Sequence, residues 1–146
     1  VLRTAFFLAL FAGLPALGIA AANPEADTLR TPSGVRYVLR EAGQGKPAGP
    51  SAAVRVNYTG FLPNGKFFDS SATDGRPIRV KLGKHEVIQG WEELLPLLPE
   101  GARVWARIPA ELAYGAKGAR DPDDDSKYRV PPNTDLVFEL EIVRIN

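Results

Sequence analysis

Leu136, Phe138, Leu140 and Ile142 alternate with Val137, Glu139, Glu141 and Val143. Alternation at a period of two puts every second side chain on one face of a strand, and a run this long excludes an amphipathic helix. The glutamates mark one face as solvated, so the sheet is antiparallel and needs a cover on its other face. The same pattern recurs upstream. Val35, Tyr37 and Leu39 alternate with Arg36, Val38 and Arg40; Val54–Phe61 is β-branched and aromatic; Ile78, Val80 and Leu82 alternate with Arg79 and Lys81. Val104, Ala106 and Ile108 share one side of 103–109. Pro63-Asn64-Gly65 predicts a tight hairpin, because Asn-Gly tolerates positive φ at both central positions; 66–69 is its short return strand. The 13 prolines and 14 glycines suit the loops read at 42–53, 70–77 and 110–132.

One stretch reads as a helix. Over Glu86–Leu95, Ile88, Trp91 and Leu95 are spaced for one face, the acidic residues suit the first turns, and Pro96 and Pro99 stop it. Five or six strands with one short helix predict an α+β fold, an antiparallel sheet covering the helix. The 23-residue stretch from Ala110 to Pro132 is expected to be functional, since structureless loops of that length are uncommon in compact domains.

Residues 1–22 are different. Arg3 is the one charge, an apolar run follows from Ala5, and it ends in Ala20-Ala21-Ala22. A basic start, an apolar middle and small residues at the end predict a secretory signal peptide cleaved after Ala22. The alternative is an uncleaved anchor, although Gly13, Pro15 and Gly18 interrupt the run. The initial Val1 fits an alternative bacterial start codon, and the periplasm is the expected compartment. Residues 23–28 then form a flexible spacer and 29–146 a single domain. Loss of Arg3 takes the net charge from +1 to 0, and no basic block suggests nucleic acid. The chain has no cysteine, which excludes disulfides, zinc–thiolate sites and a thiol nucleophile. His85 stands alone and reads as a solvated turn residue. Asp121, Asp123 and Asp125 have the spacing of a calcium loop, but Ser126 and Pro132 replace its glycine and its bidentate glutamate, so no metal is expected.

Five segments carry more specific information: Val56-Asn57-Tyr58-Thr59-Gly60, Gly65-Lys66-Phe67-Phe68-Asp69-Ser70-Ser71, Leu82-Gly83-Lys84-His85-Glu86-Val87-Ile88-Gln89-Gly90-Trp91-Glu92-Glu93, Leu112-Ala113-Tyr114-Gly115, and Val130-Pro131-Pro132-Asn133-Thr134-Asp135-Leu136-Val137-Phe138. In order and spacing they resemble the FKBP family of peptidyl-prolyl cis-trans isomerases over nearly the whole of 29–146. The resemblance implies a half-barrel sheet wrapped around the helix, with no cofactor. It implies a pocket with Trp91 as floor under a prolyl ring and Tyr58, Phe68 and Phe138 as walls. The Ile88 N–H and the Tyr114 hydroxyl would donate to substrate carbonyls. Asp69, Tyr114 and Phe68 are the implied catalytic residues; Tyr58, Ile78, Val87, Ile88, Trp91, Val130 and Phe138 would bind substrate. Implied partners are proline-containing polypeptides and a macrolide inhibitor, with the chain a monomer.

By themselves, Trp91, Tyr58 and Phe138 read equally as core, and Asp69 as a turn residue. The chain also departs from the family pattern. Ile78 stands where many members have an aromatic. Asp74 stands where a basic residue can pair with the counterpart of Asp69, a task Arg76 or Arg79 would have to take over. The loop after Tyr114 is lengthened through 121–129, which predicts a changed preference around the proline. The alternatives to catalysis are a proline-segment binding module of low turnover and a folding chaperone.

Overall fold

In the computed structural model, residues 27–146 are described; the signal-peptide reading of 1–22 and most of the spacer fall outside them. The strand read from its alternation, β9 (Leu136–Ile145), runs through the middle of a seven-stranded antiparallel sheet. The other strands are β1 (Thr28–Arg30), β2 (Arg36–Gln44), β3 (Ala53–Phe61), β4 (Phe67–Ser70), β5 (Ile78–Lys81) and β6 (Glu100–Ile108). Their spatial order is β1-β2-β6-β9-β3-β4, and β5 pairs with the first half of β3. Leu136, Phe138, Leu140 and Ile142 are buried, together with Val54, Val56, Val104 and Ile108 from neighbouring strands. Helix α1 (Gln89–Leu94) closes this face with Trp91 and Leu94, and Leu95 and Leu98 follow in the same core. The result is an α+β fold with one short helix against one face of the sheet. Among the described residues, no helix is long and apolar enough to cross a membrane.

The sheet has seven strands, where the sequence predicts five or six. Thr31 makes the difference: its N–H donates to the Val35 carbonyl at 2.9 Å, and its hydroxyl accepts the Val35 N–H at 3.1 Å. This turn folds Thr28–Arg30 back onto β2 as β1. β2 also runs on through Ala42–Gln44, read above as loop. A bulge between Leu39 and Glu41 shifts the register by one, which breaks the alternation beyond Leu39; Leu39 itself is 41% exposed. A Cβ on Gly43 would stand 2.7 Å from the Ala102 backbone, so this part of β2 needs glycine to approach β6.

The helix is shorter than the expected Glu86–Leu95. Glu86 does not serve its first turn; its carboxylate accepts the Lys81 N–H at 2.9 Å, and Glu92 accepts the Gly83 N–H at 2.8 Å. These two clamps hold 83–88 as a turn, with His85 at φ 54, and α1 starts only after Ile88. Pro96 then tightens the exit into a single 3₁₀ turn, Leu95–Leu97.

The segment 110–132 is not structureless. It contains 3₁₀ turns at Ala110–Leu112 and Gly115–Lys117 and a hairpin of β7 (Ala119–Arg120) with β8 (Tyr128–Val130). These elements are two or three residues long, too short to show a period. The Arg120 guanidinium lies 3.9 Å above the Tyr128 ring. At the tip, Asp121 accepts the Asp123 N–H, and Asp124 accepts the Ser126 N–H and pairs with Lys127 at 2.9 Å. The tip carboxylates Asp121 and Asp124 thus bond to their own loop, and among the described residues no three His, Asp or Glu side chains are grouped to hold a metal.

Candidate active site

A recess of about 140 Å³ opens where α1, the turn before it and the end of β3 and β4 meet. That is the share of liquid occupied by about five waters, a space for one ring rather than an extended ligand. It is lined by Tyr58, Phe68, Asp69, Ile78, Val87, Ile88, Trp91, Tyr114 and Phe138, and by Glu86. Nine of the ten residues nominated from the sequence therefore converge. Val130 does not: as the last residue of β8 it turns into the hydrophobic core, fully buried, with no surface to offer a ligand.

Four different elements supply these aromatic rings. Trp91, on the buried side of α1, meets Tyr58 of β3 edge-on at 5.1 Å and Phe138 of β9 at 5.2 Å. Phe68 of β4 meets Phe138 edge-on at 5.7 Å. Such edge-to-face contacts hold ring orientations that plain burial leaves free. They depend on Gly60, which the motif analysis named only as part of a segment. A Cβ there would stand 2.6 Å from Phe68 and 2.9 Å from Phe138, so glycine lets the two rings close over β3.

The polar groups sit at the rim. The Tyr58 hydroxyl donates to Asp69 at 2.8 Å, and the Ser70 N–H donates to its other oxygen at 2.9 Å. Among the described residues, Asp69 has no ion pair. Neither Arg76 nor Arg79 takes up the pairing lost at Asp74; a tyrosine hydroxyl and a backbone amide hold the carboxylate instead. Burial, then the hydrogen bond to Asp69, pushes the Tyr58 phenol far above its ordinary value. Burial and the Asp69 charge also raise Tyr114, against a smaller opposing pull from Arg129. Both hydroxyls therefore stay protonated and able to donate at neutral pH. Tyr114 remains 41% exposed, open to a ligand. Ile88 caps α1 with an extended backbone, and its N–H has no acceptor among the described residues. Ile78 gives the recess one aliphatic side.

The profile of the FKBP-type peptidyl-prolyl cis-trans isomerase family matches residues 44–143. The chain belongs to that family. A probable FKBP-type isomerase of Haemophilus influenzae is 39% identical over 120 residues, covering 82% of this chain and 46% of that protein. The FK506-binding protein of Neisseria meningitidis serogroup A is 37% identical over 105 residues, covering 72% of this chain and 90% of its own. The chain thus spans about half of the first relative and most of the second. The crystal structure of a peptidyl-prolyl isomerase from Pseudomonas syringae superposes with a TM-score of 0.71 at 33% identity, over 86% of this chain and 84% of that one. The FKBP half-barrel expected from the motifs is therefore the fold of this chain.

Proposed function

We infer that this chain accelerates cis-trans rotation about X-Pro bonds, using the aromatic recess. The supporting observation is a small recess lined mostly by aromatic and aliphatic side chains, with the Ile88 N–H, which has no acceptor among the described residues, and the exposed Tyr114 hydroxyl beside it. Rotation of a peptide bond costs ~18–20 kcal/mol because amide resonance is lost. X-Pro is the one linkage with a well-populated cis form. The twisted amide has smaller partial charges than the planar one, so an apolar recess disfavours the planar state more. Trp91 would floor the prolyl ring, with Tyr58, Phe68 and Phe138 around it. Tyr114 and Ile88 would hold flanking carbonyls, and Asp69, locked by Tyr58, would present a fixed negative edge. A thousandfold acceleration asks for about 4 kcal/mol of differential binding, within reach of one desolvated amide. No covalent step is involved.

The substrates proposed are proline-containing segments of exported polypeptides, in the periplasm, with the chain acting as a monomer. The export reading rests on residues 1–22. A macrolide of the kind the family binds is a candidate occupant of the same recess; nucleic acid is not a proposed partner. The experiment is the cis-to-trans rate of Leu-Pro and Ala-Pro tetrapeptides with the protein from Asn23 onward. Acceleration that falls at least tenfold in Asp69→Ala is expected. Folded protein that gives no acceleration would overturn the reading.

Ile78 favours a second reading. Its aliphatic side chain replaces an aromatic wall, and a looser wall would bind proline segments with little turnover. Ile78→Phe separates the two: a large gain in rate from a low starting value supports the binding module, and little change supports the enzyme.

A further inference from the structure

One row of the sheet runs in register across six strands on the face away from α1. It reads Arg30, Arg36, Arg107, Val137, Phe61, Phe67 from β1 to β4. Three arginines are directly opposed across neighbouring strands, an arrangement that like-charge repulsion disfavours. Asp135 answers Arg107 at 3.1 Å, but among the described residues Arg30 and Arg36 have no carboxylate partner. At the other end Phe67 is 52% exposed, and Phe61 stacks on Trp105 of β6 at 6.1 Å and 23°. The apolar end borders the recess. β4 is the edge of the sheet; Phe68 and Asp69 face the recess, and Phe67 faces the other side of the same strand. A chain leaving the recess around this edge meets Phe67 first and the arginines last.

We propose that this row is a second contact site for the polypeptide held in the recess, selecting a flank that is apolar near the proline and acidic beyond it. This rests on the isomerase reading for its substrate, though not for its binding chemistry. Five strand spacings make about 24 Å, the length of about seven extended residues. Charge complementarity names the occupant: an acidic end satisfies Arg30 and Arg36, which the fold leaves uncompensated. An anionic bilayer would share the charge complementarity, but the row ends at Phe67 beside the recess, which favours a segment of the polypeptide held there.

The probe is an Ala-Leu-Pro-Phe core joined through a Gly-Ser spacer to Phe-Val-Leu and then three glutamates, made with the tail on either side of the proline. A matched peptide carries lysines instead. The wild-type protein should turn over the glutamate peptide about five- to tenfold faster in kcat/KM at low salt in one orientation, with the gap closing at high salt. Arg30→Glu with Arg36→Glu should reverse the preference. Both proteins should process the bare core equally, with Arg36→Ala as a milder substitute. Equal turnover of both tails in both orientations overturns the proposal. A bare core that no protein accelerates sinks the isomerase reading alone. Fluorescence titration of a proline-free tail, with Trp105→Phe as control, then decides the contact site: charge-dependent binding supports it and no binding overturns it. It is likewise overturned if the double variant abolishes binding to phosphatidylglycerol vesicles, or a concentration-dependent dimer, while tails are not discriminated.

Discussion

Asp69 is held from two sides, by the Tyr58 hydroxyl and the Ser70 amide, and no guanidinium shares the work. Tyr58→Phe keeps the ring contacts with Trp91 and Phe138 but releases the carboxylate. A hydrogen bond to a charged group is worth about 1.5–3 kcal/mol, and at this half-exposed rim the lower end applies. The expected outcome is a loss of about tenfold in kcat/KM on a Leu-Pro tetrapeptide, with the same Tm within a few degrees. Arg76→Ala should leave the rate unchanged, since Arg76 does not touch Asp69. Gly60→Ala tests the walls: at 2.6 Å from Phe68 the new methyl must displace a ring. Overpacking of this kind costs about 1–3 kcal/mol. Chemical denaturation should register that loss, and the rate should fall by more than the fraction unfolded explains.

At the scale of elements, α1 has six residues and no side-chain cap. A helix that short has little stability of its own; packing through Trp91 and Leu94 and the clamps before it must hold it. Gly90 lies against β6, where a Cβ would stand 2.4 Å from Ile108. Gly90→Ala should therefore destabilise by about 1–3 kcal/mol by urea denaturation, although alanine gains about 1 kcal/mol in helix propensity. Glu92→Leu, which removes the acceptor, should free the Gly83 turn and raise KM more than it lowers kcat, because Val87 and Ile88 ride on that turn. The sequence allowed a helix from Glu86 because acidic residues suit a first turn. It could not show that the Glu86 and Glu92 carboxylates are occupied by backbone amides of the preceding segment.

For the whole molecule, the shifted phenols predict a pH dependence. Tyr58 and Tyr114 have folded-state values raised above the ordinary 10.0. Their stabilising contribution is fully present below the unfolded value and is lost as pH rises through and beyond it, since the unfolded chain releases those protons first. Urea midpoints should hold through the neutral range and fall above about pH 10. Tyr58→Phe should make that fall shallower; an unchanged slope would show that Tyr58 is not the group responsible. The ion pairs of Arg103 with Glu41 and Glu139 are at least 44% exposed on both sides, so added salt should change stability little.

Alternation alone determined the central strands and which face of each is buried, because a period of two is set by strand geometry and survives without any neighbour. The ordered motifs named nine of the residues that line the recess, since a ring's chemistry is fixed by its residue type. Tertiary structure decided the rest. The β2 bulge, β1 and the β7–β8 hairpin depend on partners distant in sequence, and such short elements carry no period to read. Val130 reads as substrate-binding because it lies in a motif, yet as the end of β8 it turns into the core. The partner of Asp69 also waited for the fold: charge in the sequence suggested Arg76 or Arg79, but the pairing of β3 with β4 puts the Tyr58 hydroxyl within 2.8 Å of the carboxylate.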